Sequence, residues 1–332
     1  MILNPGKLEF SEAEHAALIA DVRSLMKTEG VIQAQVARDA EIPDSTLSQY
    51  LNGKYPNESG KAETAQRLHR WMNSVREARQ VRRRLPTPPA YMPLRGSGQI
   101  IDALSYAREA GRIVLITGMP GVSKTATASQ YALVTPRTWY CPMDTTTHGV
   151  PTMLLEILRV MGVTDAKGTP AQLIRRIVDG ATAAKSLIIV DEAQHLSPKA
   201  LEALRSINDR SRLLRAPVGV AIIGNELAYT SVGPTGGKAD FAQVSSRVAD
   251  RQFIPQPDPD DAAQLARAWA EENGEAVTAK DVQFCQQIAA AAGGLRNIEM
   301  TMEKAILIAR GGAGPLTLDH LKAAYAQLAG HR

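Results

Sequence analysis

The sequence predicts an α/β fold built on a parallel sheet, with an all-α domain before it and a helical domain after it. Two observations carry this. Short apolar runs, among them Ser186 to Val190 and Val218 to Gly224, recur between helix-like stretches, as strands buried on both faces do. The segments before residue 76 and after residue 257 read as helices divided by Gly, Pro and Ser/Thr cap signals. The expected boundaries are 1–75 for the first helical domain, 76–97 for a basic, proline-rich linker, 98–257 for the α/β core and 258–332 for the helical end.

Composition allows this organisation. The chain has 332 residues, 44% of them apolar, enough for two or three real cores. No stretch approaches the roughly 18 apolar residues of a membrane span, and MILNPGKLEF lacks the basic-then-apolar layout of a signal peptide, so a cytoplasmic protein with no membrane partner is expected. Two cysteines, Cys141 and Cys285, lie far apart without metal-spaced histidines, which suggests buried thiols rather than a disulfide or zinc framework. A net charge of +4 permits polyanion binding without demanding it.

In the first domain, Ser11 and Glu14 form a capping box for a helix carrying Ala17, Leu18, Val22 and Leu25 on one face and ending near Gly30. Gln33 to Pro56 reads as a short helix, a turn at Glu41 to Pro43, and a second helix capped by Asp44 or Ser45 and stopped at Asn52-Gly53. Val36, Ala37, Ile42, Leu47 and Leu51 fall where two such helices pack. The pattern resembles the helix-turn-helix of phage-repressor DNA-binding domains, with Glu41 where that turn usually carries glycine. Ser45, Thr46, Ser48 and Gln49 would then face the major groove, with Asn52 and Lys54 near phosphates. The absence of arginine from the second helix favours sequence-tolerant binding. Arg76, Arg79, Arg82, Arg83 and Arg84 lead into a proline-rich stretch expected to be an extended tether.

In the core, RIVLITGMPGVSKTAT (Arg112 to Thr127) is a strand ending at Thr117, a Gly/Pro turn, and a Lys-Thr pair opening a helix. Turned backbone N–H groups and a helix N-terminus then converge on one anion, the arrangement that holds nucleotide phosphates. Gly118, Met119, Pro120, Gly121, Val122, Ser123, Lys124, Thr125 and Ala126 are the expected ATP contacts, with Lys124 at the β/γ-phosphates and the Thr125 hydroxyl on Mg²⁺. Ser123 stands where the pattern has its second glycine; a small residue is expected to serve at a helix start.

A second motif, SLIIVDE, ends an apolar strand in acid: Asp191 is placed for Mg²⁺ and Glu192 for the attacking water. Arg137 to Met143 is expected as a strand, followed by helices over Met153 to Met161 and Leu173 to Ala183. A helix over Pro198 to Arg215 and a strand ending at Asn225 follow. At that tip Asn225 is positioned to sense the third phosphate. The last strand is expected over Gln252 to Pro255, and Arg247 in the preceding SSR is the candidate finger reaching a neighbouring subunit's ATP, with Arg251, Arg210 and Arg212 as competitors. Beyond it four helical segments form a small lid, with Arg296 at the start of the third. His148 and His195 lack Ser, Cys or metal partners and read as packing or loop residues.

GMPGVSKT, LIIVDE, Asn225, SSR and GGLR, in that order before a helical tail, resemble the AAA+ ATPase superfamily over residues 95 to 330: an α/β P-loop core with parallel sheet and an α-helical lid. With the helix-turn-helix in front, the whole chain is similar to the MuB family of phage Mu transposition proteins. The resemblance implies an ATP-dependent, largely sequence-independent DNA-binding ATPase that polymerises on duplex DNA in a bacterial host. It also implies delivery of that DNA as transposition target, stimulation of a DDE-type transposase, and hydrolysis promoted by that partner. Carried over, Lys124 and Thr125 belong to the nucleotide loop, Asp191 and Glu192 to the metal and water pair, and Asn225 and Arg296 to the sensors. Candidate backbone contacts to DNA are Thr145, Thr146, Thr147 and His148, Arg175 and Arg176, and Lys238. Two other readings are an ATP-dependent transcription regulator and a loader that remodels a protein partner.

Overall fold

The computed structural model describes residues 10–55, 58–182, 184–225 and 244–329. The chain divides into two units, Met1–Leu85 and Pro86–Arg332.

In the first unit α1 (Glu12–Glu29) starts at the expected capping box of Ser11 and Glu14 and stops at Gly30, whose φ of 66° only glycine adopts without cost. Its buried stripe is His15, Leu18, Val22 and Leu25; Ala17 is exposed, and His15 takes its place because Nδ1 lies 2.7 Å from the buried Tyr50 hydroxyl. Two short helices, α2 (Gln33–Asp39) and α3 (Asp44–Leu51), pack through Val36, Ala37, Ile42, Leu47 and Leu51, all in one core. The turn between them puts Glu41 at a φ of 55°, the left-handed conformation for which glycine is usual there, and its carbonyl accepts from the Arg67 guanidinium. Neither Asp44 nor Ser45 caps α3; Pro43 precedes it and no side chain bonds its first turn.

The longest helix, α4 (Glu58–Arg84), runs through the stretch expected to begin the linker. Arg76 and Arg79 are ion-paired with Asp21 at 3.1 Å and Glu29 at 3.6 Å, so they brace α1. The prolines that follow do not form a free tether either. Thr87 exchanges backbone hydrogen bonds of 2.8 and 2.9 Å with the Asn273 side chain, and Met92 and Leu94 pack into the core of the helical end. A proline-rich segment lacks internal hydrogen bonds but keeps apolar side chains to bury, and here the lid supplies the surface.

The second unit holds a five-stranded parallel sheet in the order β2-β3-β4-β1-β5, formed by β1 (Ile113–Gly118), β2 (Thr138–Pro142), β3 (Leu187–Asp191), β4 (Gly219–Gly224) and β5 (Val248–Ile254). Central β1, β3 and β4 are buried at every position, as their apolar runs require. Helices α5 (Arg95–Ala110) and α6 (Lys124–Val134) cover one face. Helices α7 (Val150–Val160), α8 (Pro170–Ala181) and α9 (Pro198–Leu213) cover the other. Sequence reading passed over α5, whose first turn is obscured by Gly96 and Gly98. It also started β5 too late: at the sheet edge only the terminal Val248 and Ile254 of β5 are buried, so no apolar run marks it.

The lid comprises α10 (Pro259–Glu272), α11 (Ala279–Ala289), α12 (Leu295–Gly311) and α13 (Leu318–Ala329) around Leu265, Trp269, Ile298, Met302 and Ile306. Buried Asp261 fastens it to the core by accepting from the Arg95 and Gly96 N–H groups at 2.7 and 3.0 Å, capping α5. Among the described residues no helix is long and apolar enough to cross a membrane. Both cysteines are buried; burial pushes Cys285 up to about 12, so neither it nor Cys141, raised likewise, ionises near neutrality.

Candidate functional site

All strands are parallel, so their carboxyl ends and following loops share one edge of the sheet, where ligands of such folds bind. The loop after central β1 is built for close backbone approach. Gly118 has a φ of 154° and a Cβ there would sit 2.1 Å from the Ile254 carbonyl oxygen. Gly121 has a φ of 78° and a Cβ would sit 1.9 Å from the Gly293 carbonyl oxygen. The Met119 N–H is tied to Ile254 at 3.1 Å, and the Gly121 carbonyl accepts from the Leu295 N–H at 2.8 Å. The turn is thus clamped between the tip of β5 and the start of α12.

Ser123 corrects the expectation of an ordinary capping serine. It precedes α6 with a φ of 61° and makes no side-chain cap bond. Its position demands the left-handed region, which is why the pattern carries glycine there, and a β-carbon in that region costs about 1–2 kcal/mol. Ser123→Gly is therefore expected to stabilise the protein by about 1 kcal/mol in denaturant unfolding. A lower midpoint would show that the position is not strained.

Lys124 opens α6 and donates to the Gly118 and Met119 carbonyls at 2.9 and 2.8 Å. Burial is the largest influence on its ammonium and holds it below the ordinary lysine value; Asp191 and Glu192 oppose this, and Arg296 adds to it. The charges of both acids and of the lid arginine are therefore felt at one point. Arg296 itself is exposed in the first turn of α12, directly after the glycines that touch the loop.

Asp191, 2% exposed, ends β3 with both carboxylate oxygens hydrogen-bonded. Oδ2 accepts from the Thr125 hydroxyl at 2.8 Å and the Tyr140 hydroxyl at 2.7 Å, while Oδ1 accepts from the Glu192 N–H at 2.8 Å. Burial and this bond to a carboxylate push the Tyr140 phenol well above its ordinary value, so it remains a donor. Glu192 has a φ of 55°, which turns the chain sharply out of the strand. Its carboxylate accepts from the Gln194 side-chain amide, whose own oxygen accepts from the Asn225 N–H at 3.3 Å.

Sequence reading missed Tyr140 and Gln194. Tyr140 reaches Asp191 because β2 pairs with β3 in a register that sets Tyr140 beside Ile189 and Pro142 beside Asp191; no local signal reports that pairing. Gln194 lies two residues beyond Glu192, and its spacing was the available clue.

The arrangement fits a nucleotide triphosphate. Two glycine positions have no room for a side chain, a lysine sits inside the turn, and a buried carboxylate faces a threonine hydroxyl. Among the described residues no group of three or more His, Cys, Asp or Glu could hold a metal unaided. One carboxylate with one hydroxyl suits Mg²⁺, which keeps most of its waters and shares the phosphates.

The remaining candidates are dispersed. Arg247 lies just before β5, its side chain 57% exposed and 3.5 Å from Asp209. Arg251 is on β5 rather than flanking a helix, and its guanidinium bonds the Val248 and Ser245 carbonyls at 3.2 and 2.6 Å. Arg210 and Arg212 are exposed at the end of α9. In the first unit Ser45, Gln49, Asn52 and Lys54 are exposed, whereas Thr46 and Ser48 are half-buried. Arg23 from α1, also unforeseen, reaches the Leu51 carbonyl at 2.9 Å and the Asn52 side chain at 3.4 Å.

Thr145, Thr146 and Thr147 form one helical turn capped by Asp144, and the Thr146 and Thr147 hydroxyls donate to Asp144 at 2.6 and 3.0 Å. Those hydroxyls close the turn, with Thr146 exposed and Thr147 half-buried. Hydrogen bonds from Thr146 hold the Asp144 carboxyl below its ordinary value, so the turn carries a negative charge. Arg175 and Arg176 are exposed on α8, and Lys238 lies outside the described residues.

Comparison with known proteins agrees with this geometry. Residues 107–228 match the family described as AAA domain, and residues 246–328 match Mu B transposition protein, C terminal. The chain is 29% identical to the ATP-dependent target DNA activator B of Escherichia phage Mu over 314 residues, 93% of this chain and 94% of that one. It is 30% identical to the Mu-like prophage FluMu DNA transposition protein B of Haemophilus influenzae over 288 residues, 86% of this chain and 94% of the other. In fold, it superposes on the ORC2 protein of Aeropyrum pernix with a TM-score of 0.58 at 15% identity, covering 73% of this chain and 69% of that one. With an AAA core, a clamped phosphate loop and this relatedness along nearly its whole length, the chain belongs to the Mu B transposition protein family.

Proposed function

We propose that this chain is an ATP-dependent target-DNA activator for transposition: an ATPase that coats duplex DNA with little regard to sequence, presents it to a transposase and stimulates that enzyme. The observation that carries the reading is the clamped loop at whose Lys124 ammonium the charges of Asp191, Glu192 and Arg296 are felt, in a chain related over 93% of its length to a protein of that name. ATP with Mg²⁺ would supply the phosphoryl group and the charge that neutralises it, the metal being held through Thr125 and Asp191.

The other roles belong to this chain's residues. The loop from Gly118 to Ala126 binds the phosphates and Lys124 turns from the loop carbonyls to them. Glu192 accepts a proton from the attacking water, Asn225 orients it, and Tyr140 holds the Asp191 carboxylate in place. Arg247, exposed and only loosely paired with Asp209, suits a finger acting on a neighbouring subunit, which would make hydrolysis depend on self-association into a filament or ring. Exposed Arg175 and Arg176, with Ser45, Gln49, Asn52 and Lys54 of the first unit, supply backbone contacts to duplex.

The test is negative-stain electron microscopy of the chain on random-sequence duplex with ATP, a slowly hydrolysed analogue, or ADP. Protein-coated duplex is expected only with the triphosphates, and binding should weaken steeply with salt for every sequence alike. Bare duplex under all three conditions, with ATP binding demonstrated separately, rejects the proposal.

A further inference from the structure

We infer that Asp209 and Arg251 are positioning residues that mount Arg247 for its reach into a neighbouring subunit's ATP, an inference that rests on the finger role proposed for Arg247 above. Residues 244–247 form a helical turn directly before β5. Val244 and Val248, both buried in the core, pin that turn on either side of exposed Ser246 and Arg247. Arg251 stiffens the same turn. Its guanidinium donates to the Ser245 carbonyl at 2.6 Å, to the Ser245 hydroxyl at 3.2 Å and to the Val248 carbonyl at 3.2 Å. It therefore bridges the backbone before and after Arg247, satisfying carbonyls that the end of a helical turn leaves without helical partners.

Asp209 acts on the side chain. Its Oδ1 lies 3.5 Å from the Arg247 Nε, and among the described residues no hydrogen bond ties down the terminal nitrogens of Arg247. A guanidinium met at its Nε edge keeps its outer amino groups for an anion, the fork that suits a phosphate. Asp209 is itself fixed. Its Oδ2 accepts from the Arg205 Nη1 at 2.6 Å, and the Arg205 Nε donates to the Glu202 carboxylate at 2.8 Å. Residues 202, 205 and 209 lie along one face of α9 at the spacings where helical side chains meet, so the helix sets where the Asp209 carboxylate stands. An ion pair as open as that of Asp209 with Arg247 adds little stability. What it supplies is direction: an exposed arginine has many rotamers, and the carboxylate together with the braced turn narrows them before the neighbour arrives.

The experiment measures ATP turnover of the full chain on saturating random-sequence duplex, and affinity for a fluorescent ATP analogue separately. Each variant is assayed alone and mixed with excess Glu192→Gln, which lacks the proton acceptor but keeps Arg247 for its neighbours; the rate is counted per variant subunit. Arg247→Ala is expected to lose about a thousandfold in turnover, the scale of a missing finger, and to regain much of it in the mixture. Asp209→Ala and Arg251→Ala should each fall about tenfold, within the roughly hundredfold that a misplaced group can cost. Both should recover in the same mixture, which a defect confined to their own nucleotide site would not. Asp209→Glu keeps the carboxylate and should retain most of the wild-type rate. In the Arg247→Ala background neither substitution should cost more, and affinity for the analogue should stay unchanged throughout. Wild-type or faster turnover in Asp209→Ala and Arg251→Ala, a loss that the mixture does not restore, or a further loss in the Arg247→Ala background overturns the inference. An Arg247→Ala chain that turns over like wild type, or that the mixture does not rescue, refutes the finger role itself, and the mount with it.

Discussion

Gly121→Ala is expected to abolish tight ATP binding and to destabilise the second unit. Two effects add. At a φ of 78° a β-carbon costs about 1–2 kcal/mol from backbone strain. Beyond that, the new methyl would stand 1.9 Å from the Gly293 carbonyl oxygen, and backbone atoms have no rotamer to escape into. The loop and the Gly293-Gly294 turn must separate, which breaks the 2.8 Å bond from the Leu295 N–H to the Gly121 carbonyl and shifts the first turn of α12 that carries Arg296. A fluorescent-nucleotide titration should show affinity down by about a hundredfold, equivalent to about 3 kcal/mol, and thermal unfolding should move down by several degrees. Gly274→Ala is the control: its φ is 70° with nothing within 4 Å, so it carries the strain without the collision. If both variants lose the same stability and neither loses affinity, the lid does not press on the loop as described.

Glu192→Gln is expected to lower ATP turnover by about 10²–10⁴-fold, the usual contribution of a positioned base, while leaving nucleotide binding intact. The substituted amide still offers an oxygen to the Gln194 Nε2, and the Asp191 carboxylate still accepts from the residue-192 N–H, so the local fold should persist. Protein bound to duplex with ATP should then be retained far longer than wild type, because hydrolysis no longer ends the bound state. Single-turnover hydrolysis with a parallel duplex-dissociation measurement separates the outcomes. Turnover within tenfold of wild type would mean that another group takes the proton.

The nucleotide site was legible in the sequence because its chemistry is written in short contiguous runs. A loop that turns N–H groups toward phosphate needs glycines, Lys124 and Thr125 within a few residues, and a carboxylate at a strand tip needs an apolar run ending in Asp191 and Glu192. The capping box of Ser11 and Glu14, the stop at Gly30 and the four lid helices were equally local and appear in the structure. Ser123 looked tolerable at a helix start because residue type alone does not report φ; only the fold shows that the position is left-handed.

What failed in the sequence failed for lack of a local signal. The edge strand β5 and the helix α5 carry mixed polarity, and the expected tether from Pro86 to Leu94 looked free because its partner, the lid, lies more than a hundred and fifty residues away. By itself the sequence determined that this chain has a P-loop core with a parallel sheet and a helical lid, because each depends on neighbours within one turn or one strand. Only the tertiary structure decided that Tyr140 shares Asp191 with Thr125, that Gln194 spans Glu192 and Asn225, and that Gly121 meets Gly293. Those contacts come from strand register and from packing between distant segments, which no window of residues encodes.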